Sequence, residues 1–287
     1  MLMFSNSSGI LSFLDLRPDK EELSMLSLMM STLCVLLLLV SEVHGVQAAS
    51  SRFRYKSGFF VQGERSLPVP ASNPPRMGLV EGKQWQDVHS ELETKRDGVT
   101  LMKLVVFLRH GEGTHNVAIE KYGSDAWNAY YCKLPEYLDA PLTANGVNQA
   151  EEASERLNAE INNGLRLEHV LISPTPLELP REILGVETCN KHRSISEKRR
   201  QYPNLDFSSF EADEDPLWTP GHRETNAEIE TRASTFLTRI FNMSAQTVGV
   251  VSHSVFGAAL LRVIGHREYS LGTAELLPLL VEEYSTT

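Results

Sequence analysis

Cysteine is scarce in this chain. Three occur among 287 residues, Cys34, Cys132 and Cys189, and Cys34 lies inside an apolar run. The other two form neither a CxxC pair nor a zinc-ligand spacing. A disulfide framework and a structural zinc site are therefore not expected, and both read as ordinary thiols. Positive charge is also short. Against 37 Asp and Glu stand 27 Lys and Arg, a formal net charge of −10. That balance excludes the broad basic footprint of a nucleic-acid-binding protein. Any anionic ligand would then have to be drawn in by a local cationic pocket, not by the whole surface. No GxxxxGK[ST] phosphate loop occurs, which rules out a P-loop kinase. No internal repeat is visible.

Charge of either sign is missing from Leu23 to Val40. This run reaches the lower limit for a membrane span. Its densest part, Leu33 to Val40, has the length of a signal-peptide core, and Gly45, Ala48, Ala49 and Ser50 follow as small residues where a signal peptidase could cut. The positive flank of a simple leader is absent, because Asp19, Glu21 and Glu22 offset Arg17 and Lys20. Three readings stand: a cleaved signal, a membrane anchor, or an extension on a cytoplasmic protein. The first two place the chain in the secretory pathway or on a membrane, with 23–40 as its one membrane contact.

Three regions are expected. Residues 1–50 are an N-terminal extension. Residues 51–100 are a connector packing on the core. Its Ser66–Pro75 stretch is held extended by prolines that lack donors and fix φ, and a short helix is expected around Trp85 and Val88–Leu92. Residues 101–287 have the size of a single domain. Within that domain Leu104–Leu108 reads as a fully buried strand. Thr143 caps a helix with Val147, Ala150, Leu157 and Ile161 on one face, closed by Asn163-Gly164. His169–Ser173 is a second strand. Thr225 and Glu228 form a capping box, and the helix behind them buries Ile229, Ala233, Phe236, Leu237, Ile240 and Phe241. Thr247–Ser252 is a third strand, Ser254 caps the next helix, and Leu276–Val281 is a last strand. This alternation predicts an α/β fold of three layers, with a mostly parallel central sheet flanked by helices.

Two histidines stand at matching places. His110 follows Arg109 at the end of one buried strand, and His253 follows Ser252 at the end of another. Parallel strands present their C-terminal ends on one edge, where ligands bind, so the two imidazoles can meet. A neutral imidazole can attack phosphorus and form a covalent phosphohistidine. Arg109 can neutralise the incoming phosphoryl group bidentately. Protonated His253 and Asn116 can add donors, as can Ser254 and the helix N-terminus that follows His253. Glu182 is the candidate acid for the leaving oxygen, provided its site raises its pKa.

Several motifs occur together: Arg109-His110-Gly111-Glu112-Gly113-Thr114-His115-Asn116; Pro141-Leu142-Thr143 with Gly146 and Gln149-Ala150; Arg181-Glu182; and Ser252-His253-Ser254. In these the chain resembles the phosphoglycerate mutase-like branch of the histidine phosphatase superfamily. The resemblance implies His110 as the phosphorylated nucleophile, Arg109, His253 and Asn116 as phosphate ligands, and Glu182 as proton donor. It implies no metal and no organic cofactor. The acid phosphatase and phytase branch differs, because Gly113 stands where that branch has an arginine and Ser254 follows His253. The Glu-Arg-His-Tyr run of true phosphoglycerate mutases is absent.

One segment departs from the pattern. The family expects Ser-Pro-Leu-x-Arg-x-x-x-Thr after the second strand, bringing a second phosphate-binding arginine. Here the chain reads Ser173-Pro174-Thr175-Pro176-Leu177-Glu178. If Leu177–Leu179 is a parallel strand, its link from Ser173 is far too short, because a parallel crossover needs about a dozen residues. A segment therefore reads as deleted between Pro174 and Thr175, either through a missed exon or in the protein itself. Arg181 and Arg193 are the nearest replacements. Lys191-His192-Arg193 with Lys198-Arg199-Arg200 is either a polyanion-binding cluster or a solvated face. The expected function is a metal-independent phosphomonoester hydrolase acting on a small phosphorylated substrate. The alternatives are a catalytically impaired phospho-ligand binder and, third, a phosphomutase.

Overall fold

The computed structural model describes residues 52–94, 98–173, 178–208, 210 and 212–284. Residues 23–40 and the Pro174/Thr175 junction lie outside the described residues. Five strands form the central sheet: β1 (Phe53–Tyr55), β2 (Val99–Arg109), β3 (His169–Ile172), β4 (Thr247–Ser252) and β5 (Leu276–Tyr284). Their spatial order is β1-β5-β2-β4-β3. β2 pairs parallel with β4, and β4 with β3, whereas β5 runs antiparallel to both of its neighbours. The α/β expectation holds, and the sheet is mixed: four strands share one direction and β5 is reversed.

β2 is the spine because its side chains alternate between two buried faces. Val105 and Phe107 join one apolar cluster, with Val248, Val250, Leu277 and Leu279. Met102, Leu104 and Val106 join the other, with Leu276 and Leu280. The first face is covered by α6 (Asn226–Phe241) and α7 (Ser254–Val263). The six apolar residues expected inside α6 are its buried ones, and Thr225 and Glu228 form the expected capping box.

The second face is covered by α1 (Trp85–Leu92) and by α4 (Ala144–Asn162) with the segment after it. Here two expectations are corrected. The stretch 52–94 is more than a connector. It supplies the edge strand β1 and the fully buried Trp85, and it lies in the same compact unit as the residues after it. The inward face of α4 is also rotated from the one expected. Val147 and Ile161 are exposed, while Gly146, Ala153 and Glu160 are buried. Glu160 can be inside because it is paired: its carboxylate takes the indole N–H of Trp85 at 2.6 Å and the Arg76 guanidinium at 3.0 Å. A buried charge so partnered avoids the cost of desolvation without return.

Beyond β3, residues 178–180 form a turn and not a parallel strand. The chain passes over the end of β4, where Ser252 Oγ donates to Pro180 O. Two smaller helices, α2 (Thr114–Tyr122) and α3 (Ser124–Ala129), pack above the same sheet edge with Trp127, Cys132 and Tyr137. Among the described residues no helix is long and apolar enough to cross a membrane.

Because β1 and Trp85 belong to the core, we expect a fragment beginning at residue 52 to fold cooperatively and one beginning at residue 98 to fail. Circular dichroism with urea unfolding of the two fragments checks this. Two-state melting of the shorter one would restore the boundary near residue 100.

Candidate active site

The parallel register of β2 with β4 sets the site. Arg109 lies opposite Ser252, so the next residues, His110 and His253, leave the sheet side by side. The His110 backbone N–H donates to Ser252 O at 3.0 Å. The two ring centroids are 5.1 Å apart, and His115, from the first turn of α2, brings a third imidazole to 5.5 Å from His110. His110 and His115 line a cleft of about 250 Å³ together with Arg109, Asn116, Trp127, Glu182, Glu187 and Arg223, whereas His253 lines an adjoining cavity of about 30 Å³ with Arg181 and Glu182.

The loop carrying His110 is clamped against the start of α4. Thr143 N–H donates to Glu112 O at 2.9 Å, and Thr114 N–H to Pro141 O at 3.0 Å. Thr143 Oγ1 donates to the Glu112 carboxylate at 2.6 Å and accepts from Gly146 N–H at 3.0 Å. Gln149 Oε1 accepts from Glu112 N–H at 2.8 Å. Two backbones meet here without side chains between them. A Cβ on Gly111 would stand 2.2 Å from Gly146 O, and one on Gly146 would stand 2.0 Å from Glu112 O. Glycine is needed at both positions for this approach. The Pro141-Leu142-Thr143, Gly146 and Gln149 motifs thus hold the histidine loop in place.

His110 Nδ1 lies 2.7 Å from Gly111 O. A carbonyl oxygen only accepts, so Nδ1 carries the proton and Nε2 has a free lone pair. Burial pushes the His110 pKa below its ordinary value, and Arg109 adds to the effect against that same Gly111 hydrogen bond. The ring is therefore neutral at pH 7. Arg109 gives Nη1–H to Leu271 O at 2.7 Å. Its Nε is buried without a partner, which leaves the Nε–Nη2 edge for an anion. Asn116 Oδ1 accepts from Gly113 N–H at 2.8 Å, so its amide nitrogen is the group left to donate.

Two expectations about donors are corrected. His253 is neutral, because burial and then its neighbours His110, His115, Arg181 and Arg232 hold its pKa well below the usual value. It can offer one N–H in the free protein, not two. Ser254 and the N-terminus of α7 also do not stand open. His253 is the N-cap, without a side-chain cap bond, and Glu182 fills the place. Its carboxylate accepts from Val255 N–H at 3.1 Å, Phe256 N–H at 3.3 Å, Ile183 N–H at 3.0 Å and Ser254 Oγ at 3.3 Å. Unsatisfied N–H groups and the positive end of the helix dipole attract the nearest carboxylate. Burial raises the Glu182 pKa, against those same hydrogen bonds.

The possible replacement arginines are engaged elsewhere. Arg181 is almost fully buried and bonds Asp215 with both terminal nitrogens, at 2.9 and 2.5 Å. Arg193 pairs with Glu197 at 3.1 Å. The basic cluster does not form one face: Lys191 lies over Trp218, His192 is buried, and Lys198, on α5 (Ile195–Gln201), is buried against Asp139 at 2.6 Å. The second arginine at the cleft is Arg223, missed by the motif reading, and it is tied to Glu187 and to Gly185 O. His115 was also not singled out, although its place between the His110 loop and Asn116 was the available signal. Among the described residues no group of three or more His, Cys, Asp or Glu is arranged to hold a metal ion.

No family model matches the chain. It is 31% identical to a probable phosphoglycerate mutase from Arthroderma benhamiae over 216 residues, 64% of each chain. It is 28% identical to phosphomutase-like protein 3 from Candida albicans, covering 79% of this chain and 80% of that one. A probable phosphoglycerate mutase from Saccharomyces cerevisiae is 28% identical, covering 71% and 86%. The chain thus spans just under two thirds of the first of these and more of the others. A solved structure of a putative alpha-ribazole-5'-P phosphatase from Escherichia coli K-12 is 18% identical, with a TM-score of 0.38, and covers 64% of this chain and 96% of that chain. The resemblance read from the motifs is borne out: the relatives are phosphoglycerate mutase-like and phosphomutase-like proteins.

Three neutral imidazoles held together have a consequence for stability. His115 is pushed down to about 3 by burial and by His110 and Arg109, from an ordinary value of 6.5. Below pH 6.5 the unfolded chain binds a proton there and the folded protein does not. Folding free energy from this group is therefore lost as pH falls from 6.5 toward 3, by about 1.4 kcal/mol per pH unit. We expect His115→Gln to reduce the acid-side slope of stability by about that amount, as read by urea unfolding near neutral pH and near pH 5.

Proposed function

We propose that this relative of the phosphoglycerate mutase-like proteins is a phosphomonoester hydrolase working through a phosphohistidine at His110, with no step that needs a metal. One observation carries the reading: Nδ1–H of His110 donates to Gly111 O, which leaves Nε2 with a free lone pair, and the ring lines a cleft shared with Arg109 and Glu182. In the first step Nε2 attacks phosphorus. The N–P bond forms, the P–O bond to the alcohol breaks, and the leaving oxygen takes the proton of Glu182. In the second step the Glu182 carboxylate takes a proton from water. The water oxygen attacks phosphorus, the N–P bond breaks, and orthophosphate leaves with His110 neutral again. Arg109 neutralises the phosphoryl oxygens, and Asn116 and His253 add neutral donors.

The charges at the cleft favour hydrolysis over a mutase. A mutase passing phosphate between two hydroxyls must hold a bisphosphorylated intermediate. Among the described residues lining the cleft the cations are Arg109 and Arg223, and Arg223 is already neutralised by Glu187. That leaves one free guanidinium, enough for a small substrate with a single phosphate. We infer that orthophosphate is released and not transferred.

We expect a burst of alcohol equal to enzyme in rapid mixing with a phosphomonoester, and acid-labile phosphate on His110. Full activity in His110→Ala would sink the mechanism. Phosphate binding without any turnover would favour a non-catalytic phospho-ligand binder, and phosphoryl exchange without release would favour a mutase. The pH profile should be a bell. Its acid limb, set by His110, lies below pH 6.5 because that pKa is lowered. Its alkaline limb, set by Glu182, lies above the ordinary carboxyl value because that pKa is raised. Glu182→Gln should lower kcat by roughly 10²–10⁴ and abolish the alkaline limb, as measured from about pH 4 to about pH 9.

A further inference from the structure

His115 is the imidazole for which the mechanism above has no use. It lines the same cleft, its ring centroid is 5.5 Å from that of His110, and its Nδ1 is buried without a hydrogen-bond partner among the described residues. A buried ring nitrogen that serves only the fold normally has a hydrogen-bond partner. The orientation of this ring is set by Gly113. A Cβ on Gly113 would stand 2.6 Å from both Nδ1 and Cε1 of His115, so the Nδ1 edge is pressed on the glycine backbone and sealed from solvent. Nothing there accepts a proton. A buried N–H without an acceptor costs more than a bare lone pair, so the proton sits on Nε2. That N–H can find its partner in the cleft that His115 lines.

We propose that His115 is a further phosphate-binding residue, whose Nε2–H donates to the phosphoryl group held between Arg109 and His110. The inference rests on the hydrolase reading for its catalytic consequence, and on geometry alone for its binding consequence. It answers the want of a second guanidinium: Arg181 is spent on Asp215 and Arg223 on Glu187. It also gives Gly113 a task, since any side chain at this position would drive the ring out of place. The groups facing His115 are His110 and Arg109, both of which disfavour a second positive charge there. An incoming phosphate dianion reverses that balance, so the neutral donor strengthens when ligand arrives.

The test compares full-length wild type with His115→Ala, His115→Asn and Gly113→Ala, the last keeping the histidine and displacing its ring. Two measurements are made: kcat/KM on 4-nitrophenyl phosphate, and equilibrium binding of orthovanadate and inorganic phosphate. Removing one such donor typically costs about 10²–10³ in rate. We expect a loss of that order in His115→Ala, weaker vanadate and phosphate binding in His115→Ala and Gly113→Ala, and partial recovery in His115→Asn, which retains an N–H. Oxyanion binding and turnover within threefold of wild type in a folded His115→Ala would overturn the proposal, as would a fall in Tm with unchanged phosphate binding. If the wild type shows no turnover, the hydrolase reading fails alone, and the vanadate and phosphate affinities still decide the role of His115.

Discussion

One pairing governs the site: Arg109 opposite Ser252 across two parallel strands. The side-chain period of a strand is two, so a slip of one residue would send one histidine to the opposite face. Register is enforced from below, because Val105 and Phe107 of β2 and Val248 and Val250 of β4 lie in one buried cluster. The hydrophobic core therefore does more than hold the sheet. It fixes the relative position of two imidazoles at its edge. The close packing of Gly111 against Gly146 then fixes the height of the loop. The site is the upper surface of the packing.

Much of this was readable in the residues, and the failures have physical causes. α6 was legible because a capping box and a strict apolar period agree. The inward face of α4 was not, because burial of Glu160 depends on Trp85 and Arg76, 75 and 84 residues away in sequence. No local pattern contains that pairing. β1 was missed because three residues carry no periodicity, and it exists because the edge of β5 offers partners. At the site, His110, His253, Arg109, Asn116 and Glu182 were read from motifs and strand ends, and the structure brings them together. The protonation of His253 was misjudged, because the sequence does not show how many neutral and cationic neighbours crowd one ring. Ser254 and the open helix end were misjudged for a related reason: the residue that fills them, Glu182, arrives by a link whose path the motif pattern did not give.

If the chain acts on a phosphoester as proposed, the ion pairs around the cleft bear on how an acidic protein would host an anion. In and behind the cleft, Arg181 is paired with Asp215, Arg223 with Glu187 and Arg232 with Glu224. These pairs brace the loops between β3 and α6 and leave Arg109 as the free guanidinium. Neutral N–H donors then carry a larger share of recognition. On the proposed reading such a site would bind through geometry more than through field strength.

With Glu182 as the proton donor proposed above, its seat on α7 bears on the choice of substrate. The same backbone N–H groups that receive its carboxylate become stronger partners once it ionises. The helix therefore holds down the conjugate base at the moment the alcohol takes the proton, while burial holds the acid together beforehand. The two opposing influences set the acid strength of Glu182 between an ordinary carboxyl and a wholly desolvated one. A donor of that strength discriminates among substrates by the basicity of the departing oxygen. It gives most assistance to alkyl alcohols, which cannot depart as anions, and little to phenols, which need no proton.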